Sequence, residues 1–587
     1  MIDINNISVY YQFLAKYLIR YKSSLIIGSL MLIISSLMIL PAPLITKRIL
    51  DHSIPRKDVK ELIVLVIVTL SVLIVIRMVS YATRMLFLKV NTCAILNIRK
   101  DTLKKLCKLP YSQYHQNNTG YYISRINDDS ERIQVLFTDT LTSILQDILT
   151  FIVGAFAIFF INWKLAIVVM IALPLYGYLM IFFTRKARTI SKTYYENRSQ
   201  VNSILSETLD TYDLSKVFSN LWFSLRRYYS TAVCEYRAYV KLNRVMMAND
   251  TTVNVLAGLS PLIIVGYGGY EVIQGRMTIG SLIAFKTFSN FLFGPTNRLV
   301  NMNLHLQKAL ISLDRIISIF QAPEENPDPT FPMPIHINSL KLSNVRYSFS
   351  TEENTTFEFN LSVRKGERIG IVGKSGSGKT TLIRIILGLY PVYEGQIILD
   401  GNPLSPSQVL SLRNRISLVE QEPQLFNDTV YQNIRFANHL ATNEQIIKAA
   451  EDAHADYFIR KLDKGYNTII SADLLSIGEK QRLAIARALV RNPALIIFDE
   501  ATSNIDSLSE TIISNTISNL SEDTIVFIIS HRMKLIQYCN RVVVLDSGKI
   551  TETGTPDELS TRDGLFKILL NHSDALTNLA ECSIKSN

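Results

Sequence analysis

Apolar positions in the first half of the chain begin at helical spacing and then run together. Tyr10, Phe13, Leu14, Tyr17 and Leu18 share one helical face with Lys16, Arg20 and Lys22 around it, which predicts a short helix lying at a membrane surface. Residues 25–45 hold no charge and are long enough to cross a bilayer. Further apolar stretches follow at residues 62–76, extendable past Arg77 to Ala82, and at 144–161, 165–183, 251–270 and 279–296. Together they predict six spans, the third and fourth joined by the tight hairpin Asn162-Trp163-Lys164 with its interfacial tryptophan. A soluble core does not account for one bilayer-length run after another. The first span is read as retained, because a removable signal peptide has a shorter apolar core and a small-residue cleavage site.

What lies between the spans sets their orientation. Residues 77–146 and 185–250 are long, basic and helical in pattern, whereas the other three connections are short. The rule that basic loops stay in the cytoplasm therefore puts the two long segments there. Arg56, Lys57 and Lys60 in the first outer connection run against that rule and are outweighed. Periodicity reads the cluster Tyr114, Gly120, Ser124, Arg125 and Asp128 as a solvated helix face, and likewise Leu205, Glu207, Leu209, Asp210 and Leu214. Lys286, inside the sixth span, either meets a substrate or watery cavity or snorkels to an interface.

Composition agrees with a membrane protein: 48% of residues are hydrophobic, and mean hydropathy is +0.19. Residues 1–320 carry 35 Lys+Arg against 18 Asp+Glu, and residues 321–587 carry 26 against 32. A basic excess confined to the apolar half suits loops beside anionic lipid. No basic groove interleaved with aromatics occurs, so no nucleic-acid partner is expected. Five scattered cysteines without metal spacing read as reduced thiols.

After five prolines within residues 322–334 the pattern changes to a strand over 337–349, then to alternating strands and helices. That alternation predicts a mainly parallel sheet with its site at strand ends. Strand-like residues 368–372 lead into Gly373-Lys374-Ser375-Gly376-Ser377-Gly378-Lys379-Thr380-Thr381, and an apolar helix over 382–389 follows. The glycines let backbone N–H groups turn towards phosphate oxygens, Lys379 supplies charge, and Thr380 supplies a hydroxyl for Mg²⁺. The next helix adds its positive end. Farther on, Leu495-Ile496-Ile497-Phe498 ends in Asp499 and Glu500. Such a strand places Asp499 near Mg²⁺ and Glu500 where it can polarise an attacking water. The expected fold is an all-α six-helix transmembrane domain over residues 1–321, a linker over 322–336, and an α/β P-loop nucleotide-binding domain over 337–587.

With these motifs the chain resembles the exporters of the ATP-binding cassette (ABC) superfamily, in the half-transporter form with one six-span domain and one nucleotide-binding domain. Leu475-Ser476-Ile477-Gly478-Glu479-Lys480-Gln481-Arg482 is similar to the family signature. Gln421 matches the glutamine loop, Ser503-Asn504-Ile505-Asp506 the D-loop, His531 the switch histidine, and Phe349 the usual adenine-stacking tyrosine. The resemblance implies ATP and Mg²⁺ as cofactors, with Thr380, Gln421 and Asp499 on the metal and Glu500, Gln421 and His531 as catalytic groups. It implies that Ser476 and the Gly478 N–H reach the γ-phosphate of ATP held by the opposite half, so that two halves close face to face. It also implies that the 114–128 region and residues 207–216 are coupling regions touching nucleotide-binding domains.

Two positions depart from the family pattern. Ile477 replaces the first signature glycine, and Glu479 the usual glutamine, while residues 468–475 run about two residues short. A carboxylate there weakens ATP contact if it points at the phosphate. The partner is a second half-transporter; a homodimer is preferred because one chain supplies every catalytic group, and a heterodimer fits the altered signature. The expectation is ATP-driven export, with an ATP-gated channel or regulator as the alternative. An importer is disfavoured because importers usually keep the two parts on separate chains. Expected surroundings are the bilayer of the cytoplasmic membrane and a small amphipathic or peptide substrate. The lack of a protease domain before the first span argues against a combined leader-cleaving peptide exporter.

Overall fold

The structure is a computed structural model that describes residues 4–136, 141–331, 334, 336–348, 356–392, 394–470, 474–501, 507–530 and 532–571. It divides into two compact units, Met1–Cys107 with Asn117–Ala322, and Lys108–Gln116 with Pro323–Asn587.

Unit 1 is helical: α1 Ile4–Leu18, α2 Lys22–Leu37, α3 Pro41–Arg48, α4 Val59–Leu106, α5 Leu141–Ile161, α6 Trp163–Asp210, α7 Leu221–Ile273 and α8 Ile279–Gln321. The long basic segments are not separate loops but continuations of the spans. A 48-residue helix such as α4 or α6 extends about 70 Å, more than twice the hydrocarbon thickness of about 30 Å. The starts of α4, α6 and α8 are marked chemically. Asp58 accepts the Glu61 N–H at 3.0 Å, Asn162 the Leu165 N–H at 3.1 Å, and Thr278 the Ser281 N–H at 3.1 Å. The first span is not one helix, because α2 stops at Leu37 and Pro41 opens α3, a position where a missing N–H costs nothing.

Five stretches among the described residues are long and apolar enough to cross a membrane: Ser8–Ser53, Val59–Leu106, Ser143–Ile161, Trp163–Asp210 and Leu221–Ile273. The start of α8, the sixth expected span, is helical but more polar, with an exposed Lys286 on it. Its apolar face of Ala284, Phe285, Phe288 and Leu292 is fully buried with Ile158, Leu165, Val169 and Ile264. At Gly154 of α5 a Cβ would stand 2.8 Å from Phe291 Cβ, so α5 and α8 pack closely because that position is glycine. The α5 span also carries a charge. Asp147 accepts Arg298 Nε at 3.0 and 3.1 Å and Nη2 at 2.5 Å.

The α1 face does not lie open at a surface. Tyr17 is buried with Ala94, Ile98, Ile133, Leu313 and Ile316, and Phe13 and Leu14 pack against them. Tyr17 Oη donates to Asp101 Oδ2 at 3.1 Å and Tyr10 Oη to Asp314 Oδ1 at 2.5 Å.

Unit 2 holds a ten-stranded sheet: β1 Ser339–Ser348, β2 Thr356–Arg364, β3 Arg368–Gly373, β4 Glu394–Leu399, β5 Asn402–Pro403, β6 Ile416–Val419, β7 Leu495–Asp499, β8 Ile525–Ile529, β9 Arg541–Asp546 and β10 Lys549–Gly554. Their spatial order is β5-β4-β1-β2-β10-β9-β3-β8-β7-β6. Strands β9-β3-β8-β7-β6 form a parallel block, β10 pairs antiparallel with β9 and parallel with β2, and β1, β2, β4 and β5 pair antiparallel. Burial separates the two parts: β2 alternates buried and open positions, while every residue of β8 is buried. Along β7, Leu495 and Ile497 join one core and Ile496 and Phe498 the other, so both faces are covered.

The expected linker is bound along unit 2. Arg413 pairs with both Glu325 oxygens, at 2.6 and 3.1 Å, and Ser411 Oγ donates to Asp328 O at 2.8 Å. Of residues 114–128, those up to Gln116 group with unit 2, within the segment Lys108–Gln116. Its Tyr111 ring lies 5.9 Å from Tyr390 and 5.4 Å from the Arg384 guanidinium. Residues 117–128 and 207–216 belong to unit 1.

Candidate functional site

The phosphate loop follows from the parallel block. Strand β3 is buried along its length and ends at Gly373, and α9, Lys379–Ile386, begins after a left-handed Gly378 with φ +103°. Gly376, at φ +79°, has nothing within 4 Å of where a Cβ would stand, so the loop is open there. Lys379 is nearly buried, and its Nζ donates to the carbonyls of Gly373 at 2.8 Å and Lys374 at 3.0 Å. Burial pulls the Lys379 ammonium below its ordinary pKa, while Glu500 and Asp499 act the other way. Ser377 Oγ is buried without a hydrogen-bond partner among the described residues. Lys374, Ser375 and Thr380 are exposed at the loop, whereas Thr381 packs inside.

Register brings the acids to this loop. Asp499 lies opposite Ile529 of β8, which itself lies opposite Ile371 of β3. Burial, then the neighbouring Glu500, raises the Asp499 carboxyl above its ordinary range, against the opposing charges of Arg384 and Lys379. Arg384, one turn into α9, is a site charge that motif reading missed. Glu500 sits in the left-handed region at φ +49°, a strained placement for a non-glycine residue, held by its N–H donating to Ile529 O at 3.0 Å. Gln421, two residues beyond β6, donates from Nε2 to Glu500 Oε2 at 3.0 Å. Phosphate loop, acid pair and glutamine thus meet at the carboxyl ends of β3, β7 and β6. Phe349, His531 and the D-loop residues 503–506 lie outside the described residues.

The signature heads a second helix, α10, Ile477–Leu489. Ser476 Oγ accepts the Glu479 N–H at 3.3 Å, while Glu479 Oε2 accepts the Ser476 N–H at 2.9 Å and its hydroxyl at 2.8 Å. This capping box points the non-family carboxylate at the serine itself. Gly478 is buried and Ile477 exposed.

Two family models match the chain. The ABC transporter transmembrane region covers residues 25–296 and the ABC transporter domain covers 357–503. An ATP-dependent lipid A-core flippase of Desulfotalea psychrophila is 30% identical over 559 residues, 94% of this chain and 97% of the relative. The chain belongs to the ABC transporter family. This ABC transporter is also 31% identical over 572 residues to a Staphylococcus aureus ATP-binding/permease protein named for multidrug export, covering 95% and 98% of the two chains. A bacterial Atm1-family ABC exporter with ATP bound superposes on it with a TM-score of 0.82 at 25% identity, over 94% of this chain and 99% of that one. The ABC transporter therefore joins a helical, membrane-embedded domain to a nucleotide-binding domain in one chain, as half-transporters do.

Proposed function

We propose that the chain is one half of an ATP-driven exporter in the cytoplasmic membrane, with unit 2 in the cytoplasm. The observation that carries this reading is the convergence of the phosphate loop, Asp499, Glu500 and Gln421 at the ends of neighbouring parallel strands, with Gln421 and Glu500 3.0 Å apart.

The residues present fit a nucleotide. Ser377 carries a buried hydroxyl unpaired among the described residues, the loop is open at Gly376, and Lys379 already faces two loop carbonyls. Lys379 and the loop N–H groups would hold the phosphates of ATP, Phe349 the adenine, and Thr380, Gln421 and Asp499 the Mg²⁺. When bound, Mg²⁺·ATP supplies a phosphoanhydride whose charge the cation offsets. Glu500 orients and polarises the attacking water, Gln421 fixes the Glu500 carboxylate, and His531 donates to the γ-phosphate as charge builds. Ser476 and the Gly478 N–H reach across to the opposite half, so closure of the pair favours an outward-open state and hydrolysis resets it.

The opposite half is a second copy of this chain in the first reading. The heterodimer is favoured by one observation, the Glu479 carboxylate already bonded to Ser476. An amphipathic substrate is supported by a cleft of about 470 Å³ in unit 1, where Arg77, Arg84, Thr46 and Gln146 face Leu73, Ile76 and Phe291. The flippase and multidrug names of the relatives agree with that class. The test is vectorial, ATP-dependent uptake into inside-out vesicles containing the purified protein. Passive flux opened by ATP would instead identify a gated channel.

A further inference from the structure

We infer that Gln481 is a positioning residue for hydrolysis, acting through Gln421, and that it ties the signature helix to the carboxylate that activates water. The inference rests on the reading of unit 2 as an ATP hydrolase. Gly478, Gln481, Ile485 and Ala488 lie at helical spacing on the buried face of α10. An amide at 1% exposure among apolar neighbours is costly unless bonded. Gln481 Nε2 donates to Glu420 O at 3.0 Å. The next residue is Gln421, whose own amide holds Glu500.

Strand β6 ends at Val419, and the next strand pairing is that of Asp428–Thr429 with Ile469–Ile470. Between them the chain hangs from α10. Two turns beyond Gln481, Arg487 donates to Gln424 O at 2.7 Å, Asn433 O at 2.9 Å and Asn433 Oδ1 at 3.0 Å. The fully buried Asn433 in turn donates to Phe426 O at 2.9 Å. Arg487 is therefore scaffold for residues 424–433, and Gln481 is the bond next to the site. One rigid helix thus serves two places: its head, Ser476, reaches the nucleotide of the opposite half, and its buried face sets Gln421 and Glu500 of its own. A displacement of α10 on closure must move Gln421, because the Glu420 carbonyl moves with it.

A double-mutant cycle on the full chain in lipid tests this, using Gln481→Met, which keeps the length and removes the donor, and Gln421→Ala. Alone, Gln481→Met is expected to lower kcat for ATP about tenfold, the scale of a small misplacement of a catalytic group, with KM changed less than about twofold. In the Gln421→Ala background the same change should alter kcat less than about twofold. Additive losses, or an effect on KM alone, overturn the inference. Wild-type protein without Mg²⁺·ATP turnover overturns the parent reading and this one together, whereas an active wild type with additive losses overturns only this one. Should Gln481→Met fail to accumulate, Gln481→Glu keeps the shape, replaces the donor with an acceptor, and runs through the same cycle.

Discussion

Ser377 and Ser476 both stand before a helix N-terminus and both are proposed to contact phosphate, yet the fold treats them oppositely. The Ser377 hydroxyl is buried and has no partner among the described residues; the Ser476 hydroxyl is exposed and bonded twice to Glu479. The phosphate-loop end is left open for an outside anion, and the signature end has supplied one from its own chain. The two ends therefore start from different free energies, and the difference sits in the Glu479 carboxylate.

The first way to break this contrast is to disable the open end. Glu500→Gln keeps an acceptor for Gln421 and removes the charge that polarises water, so kcat for ATP should fall at least about 100-fold with nucleotide binding retained. Undiminished hydrolysis, measured as phosphate release by the lipid-embedded protein, would show that Glu500 is not the activating group. Next in size, Lys379→Ala removes a charge-assisted contact of about 1.5–3 kcal/mol. Equilibrium binding of a fluorescent ATP analogue should weaken about 10- to 100-fold, and unchanged affinity would mean that the loop does not hold phosphate.

Local pattern carried the open end well and the closed end poorly. Residues 368–382 show strand, glycine loop and helix in one window, and Asp499-Glu500 ends an apolar run, so both are visible without any distant contact. The Glu479 carboxylate was visible as a departure, but its direction depends on a cap geometry that spacing does not specify. Gln481 could have been flagged, because it shares helical spacing with Gly478, Ile485 and Ala488; its partner, the Glu420 carbonyl, is 61 positions away in sequence. Distance hid the pairing of Asp147 with Arg298 in the same way, since one lies in a span otherwise read as apolar and the other is 151 positions on. The antiparallel strands escaped because β1 and β2 alternate burial only on a scale that a count of apolar runs averages away.

At the closed end, Glu479→Gln keeps the acceptor for the Ser476 N–H and removes the negative charge. If both halves are this chain, the apparent KM for ATP should fall about three- to tenfold, equivalent to about 0.7–1.4 kcal/mol. No change in such a pair would mean that the carboxylate does not compete for the signature, and the contrast between the two serines would lose its functional meaning.

The smallest expected effect separates the serines by stability alone. Ser476→Ala removes a helix cap worth about 1 kcal/mol, which should lower the apparent Tm of nucleotide-free protein by about 2–4 °C. Ser377→Ala removes a buried hydroxyl that has no partner among the described residues, so Tm should hold or rise slightly. Adding Mg²⁺·ATP should then reverse the order of the two sites: wild type gains stability by mass action, and Ser377→Ala gains less. If Ser377→Ala instead destabilises the nucleotide-free protein as much as Ser476→Ala does, the Ser377 hydroxyl is already satisfied within the fold, and the loop is no more open to an outside anion than the signature.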